Sequence, residues 1–177
     1  MLKRRAIVFI DGNNWYHNSK KFINLGNIDF RKLANFICSH FNFDLSGIRY
    51  YNSIPDISDD KEVYHKHMKF LEGLKKQGIT VRTRKLKKIK KKNVVIEKGV
   101  DVLISVNMIR KTLVDNSCDV CVLISGDADF IPVMEIIKNS GKEAITSSVI
   151  QGYARELLQG KFRYLILKKE HLFNCLK

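Results

Sequence analysis

Apolar and polar positions alternate along this chain in two rhythms. Ala6-Ile7-Val8-Phe9-Ile10 is an unbroken apolar run, the pattern of a strand buried on both faces of a parallel sheet. Asp11-Gly12-Asn13-Asn14 then reads as a turn, with a helix starting at Trp15. Asp29 is placed to cap a second helix whose Phe30, Leu33, Ala34, Phe36, Ile37 and Phe41 recur at helical spacing. Ile48 to Ser53 predicts a second strand. Asp59 or Asp60 opens a helix running through Lys76, and Gly78 closes it. Ile79 to Arg84 predicts a third strand. Lys85 to Glu97 reads as a strand extension, a lysine-rich turn and a returning strand, Val94-Val95-Ile96.

Gly99 opens a helix through about Leu113 that is apolar nearly all round, which predicts deep burial. Val120 to Ile124 is the next strand, Phe130 to Asn139 a helix and Glu143 to Ser148 the fifth main strand. Tyr153 to Leu158 predicts a short helix, Phe162 to Leu167 an edge strand and Glu170 to Leu176 a terminal helix. Strands alternating with helices predict an α/β fold, a three-layer Rossmann-like sandwich around a mainly parallel sheet with an added basic hairpin. The length of 177 residues and the absence of a repeat or linker predict a single domain, 1–177.

Charge sharpens the picture. There are 32 Lys and Arg against 18 Asp and Glu, a formal charge of +14, which favours a polyanionic partner. Eight of the eleven residues from Arg82 to Lys92 are basic. Arg82, Arg84, Lys85, Lys87, Lys88, Lys90, Lys91, Lys92 and the following Lys98 are the candidate phosphate contacts, giving affinity without sequence readout. A solvated edge strand guarded by lysines is the alternative. Trp15 and Tyr16, next to the first turn, are candidates to stack on unpaired bases. No run approaches the ~20 apolar residues of a membrane helix, and the short apolar run ended by Asp11 does not make an export signal. A cytoplasmic protein without a membrane partner is the expectation. The four cysteines are then reduced, and Cys118-x-x-Cys121, at the start of a strand, is read as a pair of buried thiols on opposite faces.

Against this basic background, acids gather at predicted strand ends: Asp11, Asp101 in Lys98-Gly99-Val100-Asp101, and Asp127 with Asp129 in Ser125-Gly126-Asp127-Ala128-Asp129-Phe130. Sites in open parallel sheets lie at the carboxyl ends of strands, so three segments deliver carboxylates to one edge. Clustered carboxylate oxygen suits a hard divalent cation, which can activate water and offset charge on a phosphodiester. Each acid also has a structural reading: Asp11 in a turn pair, Asp101 at a helix start, Asp127 or Asp129 as a helix cap. Asn14 and Ser125 are candidates to orient phosphate, or merely turn formers.

The three segments Phe9-Ile10-Asp11-Gly12-Asn13-Asn14, Lys98-Gly99-Val100-Asp101-Val102 and Ser125 to Phe130 resemble, in this order, the NYN domain family. The likeness is to its LabA-like branch within the PIN-like nuclease group and runs from about Ala6 to Ile166. The resemblance implies a Mg²⁺- or Mn²⁺-dependent endoribonuclease acting on single-stranded or structured RNA and leaving a 5′-phosphate. Asp11, Asp101, Asp127 and Asp129 match the family's acidic positions, and Asn14 its asparagine. A PIN-like module that binds RNA or protein without cleaving, and a small-molecule phosphohydrolase, are the alternatives; a homodimer stays open.

Overall fold

A computed structural model describes residues 2–23, 27–85, 87–89, 94–96, 99–159 and 161–177, with 87–89 and 94–96 described by their backbone. The chain builds an α/β sandwich around a six-stranded parallel sheet. Its strands are β1 (Arg5–Asp11), β2 (Asp44–Ile54), β3 (Thr80–Lys85), β6 (Val120–Ile124), β7 (Glu143–Ser148) and β8 (Arg163–Ile166), in the spatial order β3-β2-β1-β6-β7-β8. Between β3 and β6 in sequence, β4 (Lys87–Ile89) and β5 (Val94–Ile96) pair antiparallel as the expected hairpin.

The unbroken apolar run of β1 has the cause assigned to it, because both faces are covered. Ala6, Val8 and Ile10 enter one core layer, Ile7 and Phe9 the other. The first layer holds α1 (Gly12–Ser19), α2 (Phe30–His40) and α3 (Lys61–Lys76), through Trp15, Phe30, Leu33, Ile37, Leu71 and Leu74. Asp29 caps α2, accepting from the Arg31 and Lys32 N–H groups at 2.8 and 3.0 Å, a contact of about 1 kcal/mol. Asp60 caps α3, accepting from the Val63 N–H at 3.0 Å.

The second layer holds α4 (Val100–Ile109), α5 (Ile131–Asn139) and the short α6 (Arg155–Leu158); a last helix, α7 (Lys169–Phe173), returns Leu172 to the first. Here α4 departs from expectation. Val100, Ile104 and Met108 face the core, but Val102 is 66% and Val106 55% exposed. An outer-layer helix rests on the sheet by one face only. Apolar composition on its other faces therefore does not bury them. The helix also widens into a π-helical turn at Arg110–Val114.

Cys118 and Cys121 are buried free thiols as expected, but they do not lie on opposite faces. Both thiols are buried in the second layer, because the chain bends at Asp119 and β6 begins only at Val120. Burial raises both above the usual thiol range, which keeps them protonated and unreactive. Among the described residues no helix is long and apolar enough to cross a membrane.

Candidate active site

Strand order reverses direction between β1 and β6. From β1 the chain proceeds outward to β2 and β3; from β6 it proceeds the other way to β7 and β8. Loops leaving the carboxyl ends of strands at such a switch point diverge and leave a crevice between them. Ile10 pairs with Ile124, so Asp11 and Ser125 leave neighbouring strands at the same level.

Asp11 is buried and caps α1: one carboxylate oxygen accepts from the Asn14 N–H at 3.1 Å, the other from the Ser125 hydroxyl at 3.2 Å. The Asp11-Gly12 pair is thus a strand-to-helix junction rather than a turn. Glycine is required at position 12 by close approach, since a Cβ there would stand 2.5 Å from the Tyr50 ring and 2.6 Å from the Tyr51 carbonyl. Burial, and then the Asp11 charge, push the Tyr50 phenol far above its ordinary pKa, so it stays neutral.

The loop after β6 is clamped to α1. The Asn14 side-chain oxygen accepts from the Gly126 N–H at 3.1 Å and from the Asn18 amide at 3.0 Å. The Gly126 carbonyl accepts from the Ala154 N–H at 2.8 Å. A Cβ on Gly126 would lie 1.9 Å from the Gly152 carbonyl oxygen, and one on Gly152 would lie 1.9 Å from the Asn18 amide. Two glycines and two asparagines therefore lock three segments together. Asn18 and Gly152 are absent from the sequence-based candidates. The available signal was the four-residue spacing of Asn14 and Asn18 on one helix; the pairing with Gly152 spans too much sequence to be read from it.

Asn14 and Ser125 are accordingly placed as positioning groups. The single Ser125 proton goes to Asp11, and its oxygen accepts from the Asp127 N–H at 3.3 Å. The expected donation to a phosphate would have to break the Asp11 bond. Asp127 caps the short 3-10 turn Ala128–Phe130, accepting from the Asp129 N–H at 3.0 Å. Asp101 lies in the first turn of α4, whose N-cap Gly99 supplies no side chain. Its carboxyl is held above the ordinary range, first by loss of hydration where the segments crowd together and then by the negative charges of Asp127 and Asp129. These three acids share one electrostatic neighbourhood, and Asp11 is joined through Ser125 to the loop that carries Asp127.

Trp15 is not at this surface. It is 1% exposed and packs edge-on against Phe30 with centroids 6.0 Å apart. On a helix whose cap faces the site, position 15 turns inward to the first core layer, so the base-stacking role expected of it fails. Tyr16, the next residue, is 52% exposed with the Lys20 ammonium 5.3 Å from its ring centre. Arg82, Arg84 and Lys85 are exposed on β3, an edge of the sheet. Lys90, Lys91, Lys92 and Lys98 lie outside the described residues, as do the side chains of Lys87 and Lys88.

Among the described residues, no three His, Cys, Asp or Glu side chains stand ready to enclose a metal ion. That does not disqualify the acids, because Mg²⁺ keeps several waters and takes only one or two carboxylates. Mutual repulsion of Asp101, Asp127 and Asp129 is what a bound cation would relieve, so the donor set fits in kind.

The sequence pattern of the NYN domain matches residues 5–166. The chain belongs to the NYN domain family. NYN domains are PIN-like, generally nucleases, and usually use divalent metals. This NYN chain is 28% identical over 167 residues to the low amplitude and bright protein LabA of Synechococcus elongatus, covering 92% of this chain and 83% of LabA. Its fold is similar to the crystal structure of a Vibrio parahaemolyticus protein of unknown function, with a TM-score of 0.66 at 18% identity, covering 99% of this chain and 97% of that one.

Proposed function

We propose that this NYN domain protein is a Mg²⁺- or Mn²⁺-dependent endoribonuclease. The observation that carries the reading is the convergence at the switch point of Asp11, joined through Ser125 to the Asp127 loop, with Asp101, whose carboxyl the charges of Asp127 and Asp129 help to raise. Asp101, Asp127 and Asp129 would hold the cation, with Asp11 as a fourth carboxylate joined through Ser125 to the loop that carries Asp127. The cation, when bound, supplies a lowered water pKa and offsets charge on the phosphodiester. The chain's own contribution is placement. The Asn14–Asn18–Gly126 clamp holds the Asp127 loop against α1, and Ser125 keeps Asp11 oriented. Arg82, Arg84 and Lys85 offer phosphate contacts on the β3 edge, with the lysines from Lys87 to Lys98 following in sequence, and Tyr16 offers a stacking face.

One observation favours a second reading. Asp11 and Asp127 already serve as caps, each engaged with a backbone N–H of its own turn. A module that holds RNA without cleaving it is consistent with that.

End-labelled single-stranded RNA incubated with the protein in Mn²⁺, Mg²⁺ or EDTA separates the two. Metal-dependent cleavage absent from Asp127→Asn supports the nuclease. RNA retained without cleavage in either metal, and equally by Asp127→Asn, supports the binding module.

A further inference from the structure

A groove of about 510 Å³ lies at the opposite edge of the sheet, where β7 and β8 begin and β1 is entered. Five of its nine lining residues are basic, Arg4, Lys138, Lys142, Lys161 and Arg163, and one, Glu143, is acidic. Glu143 binds two of them at once: Arg4 at 2.5 Å and Arg163 at 2.8 Å. The Arg163 guanidinium also lies 4.7 Å from the Phe41 ring centre, so its plane is held on two sides. Lys142 is fixed by the Asn116 side-chain oxygen at 2.6 Å and the Cys118 carbonyl at 3.2 Å. Lys138 reaches the Lys161 carbonyl at 2.5 Å and lies 5.7 Å from the Phe162 ring centre.

Carboxylates do not balance this set. Counting the neighbouring Arg5, six cations stand against Glu143, Asp119 and Glu135. A concave row of cations, several already oriented, is complementary to an anion with repeated charge.

We propose that this amino-edge groove binds the phosphate backbone of a nucleic acid strand, as a second contact site remote from the acids. The choice of nucleic acid among polyanions rests on the ribonuclease reading above. Contacts of this kind carry affinity and position, not sequence. Arg4 stands seven steps before Asp11 along β1, about 23 Å at ~3.3 Å per residue. A stacked strand rising about 3.4 Å per nucleotide needs roughly seven nucleotides to reach from groove to acids.

Fluorescence anisotropy in EDTA, where cleavage does not intervene, tests this with RNAs of 4 and 20 nucleotides. The proteins are wild type, Lys138→Gln/Lys161→Gln and the charge-keeping Lys138→Arg/Lys161→Arg. The Gln pair should lose about fivefold or more in affinity for the 20-mer. Its slope of log affinity against log salt should shrink by about 1.4, two phosphates at ~0.7 each. The wild-type gain from 4 to 20 nucleotides should shrink with it, and the Arg pair should retain both. Unchanged affinity and slope in a Gln pair of unchanged Tm overturns the proposal. So does wild-type protein that binds no RNA, or a Gln pair that loses only binding to phosphatidylserine vesicles. Absence of cleavage in Mn²⁺ with the slope change intact would sink the nuclease reading alone.

Discussion

Asp101 sits in the first turn of α4, where the helix macrodipole favours a carboxylate by about 0.3–1 kcal/mol. Its pKa is nevertheless raised, so lost hydration and the charges of Asp127 and Asp129 outweigh the dipole. A carboxyl raised in the folded state takes a proton more readily there than in the unfolded chain. Its contribution to stability is therefore favourable at low pH and is lost as pH rises through the raised value. Asp101→Asn should raise Tm in EDTA at pH 8 and raise it less at pH 4, where more of the wild-type carboxyl carries its proton. Since Asp101 is exposed, solvent screening holds the gain below about 1 kcal/mol, or about 2–4 °C for a chain of this size. Calorimetry at the two pH values checks it; a lower Tm at pH 8 would mean the dipole prevails. The same scale explains which site residues were legible. Asp11 and Asp127 were readable because each ends an apolar run. The burial of Trp15 was not, since only the packed orientation of α1 turns position 15 inward and position 16 outward.

Among the elements, α4 differs most from its sequence pattern. A helix apolar on every face reads as one enclosed on every face, yet Val102 and Val106 lie on its solvent side. A polar residue there exposes no new core and improves helix propensity by a few tenths of a kcal/mol. Val106→Gln should leave the urea midpoint within about 0.5 kcal/mol of wild type. Ile104→Ala, two positions away on the inner face and fully buried, should cost about 2–5 kcal/mol. Equal losses from the two would show that the outer face of α4 is covered in solution. Among the strands, β2 begins four residues before the expected Ile48, while two inner strands keep their expected bounds. Glu143–Ser148 and Val120–Ile124 match residue for residue because double burial demands continuous apolar or small side chains. Helix starts shifted by one residue at α5 and by two at α6, where 3-10 turns precede them.

At the scale of the whole molecule, charge and topology act together. The acids collect at the carboxyl edge of the sheet, while cations line the amino edge and the β3 flank. A cation that binds only the folded state stabilises it by RT ln(1 + [L]/Kd), about 2.7 kcal/mol at a hundredfold excess over Kd. Millimolar Mn²⁺ should therefore raise the Tm of wild type by several degrees and leave Asp127→Asn unmoved. Equal shifts in both proteins would place the cation elsewhere.

Local residue order by itself determined the alternating strands and helices, the excess of positive charge, and the three acid-bearing segments at strand ends. These depend on periodicity and on neighbours close in the chain. Only the tertiary structure decided that β1 and β6 are adjacent at the switch point, and that Asn14 clamps Gly126. It alone decided that Asn18 meets Gly152, and that Arg4, Lys138 and Arg163 share one groove. Each of these pairings joins residues far apart in sequence. Their closeness follows from how the two core layers pack against one twisted sheet, information that no short window of the chain contains.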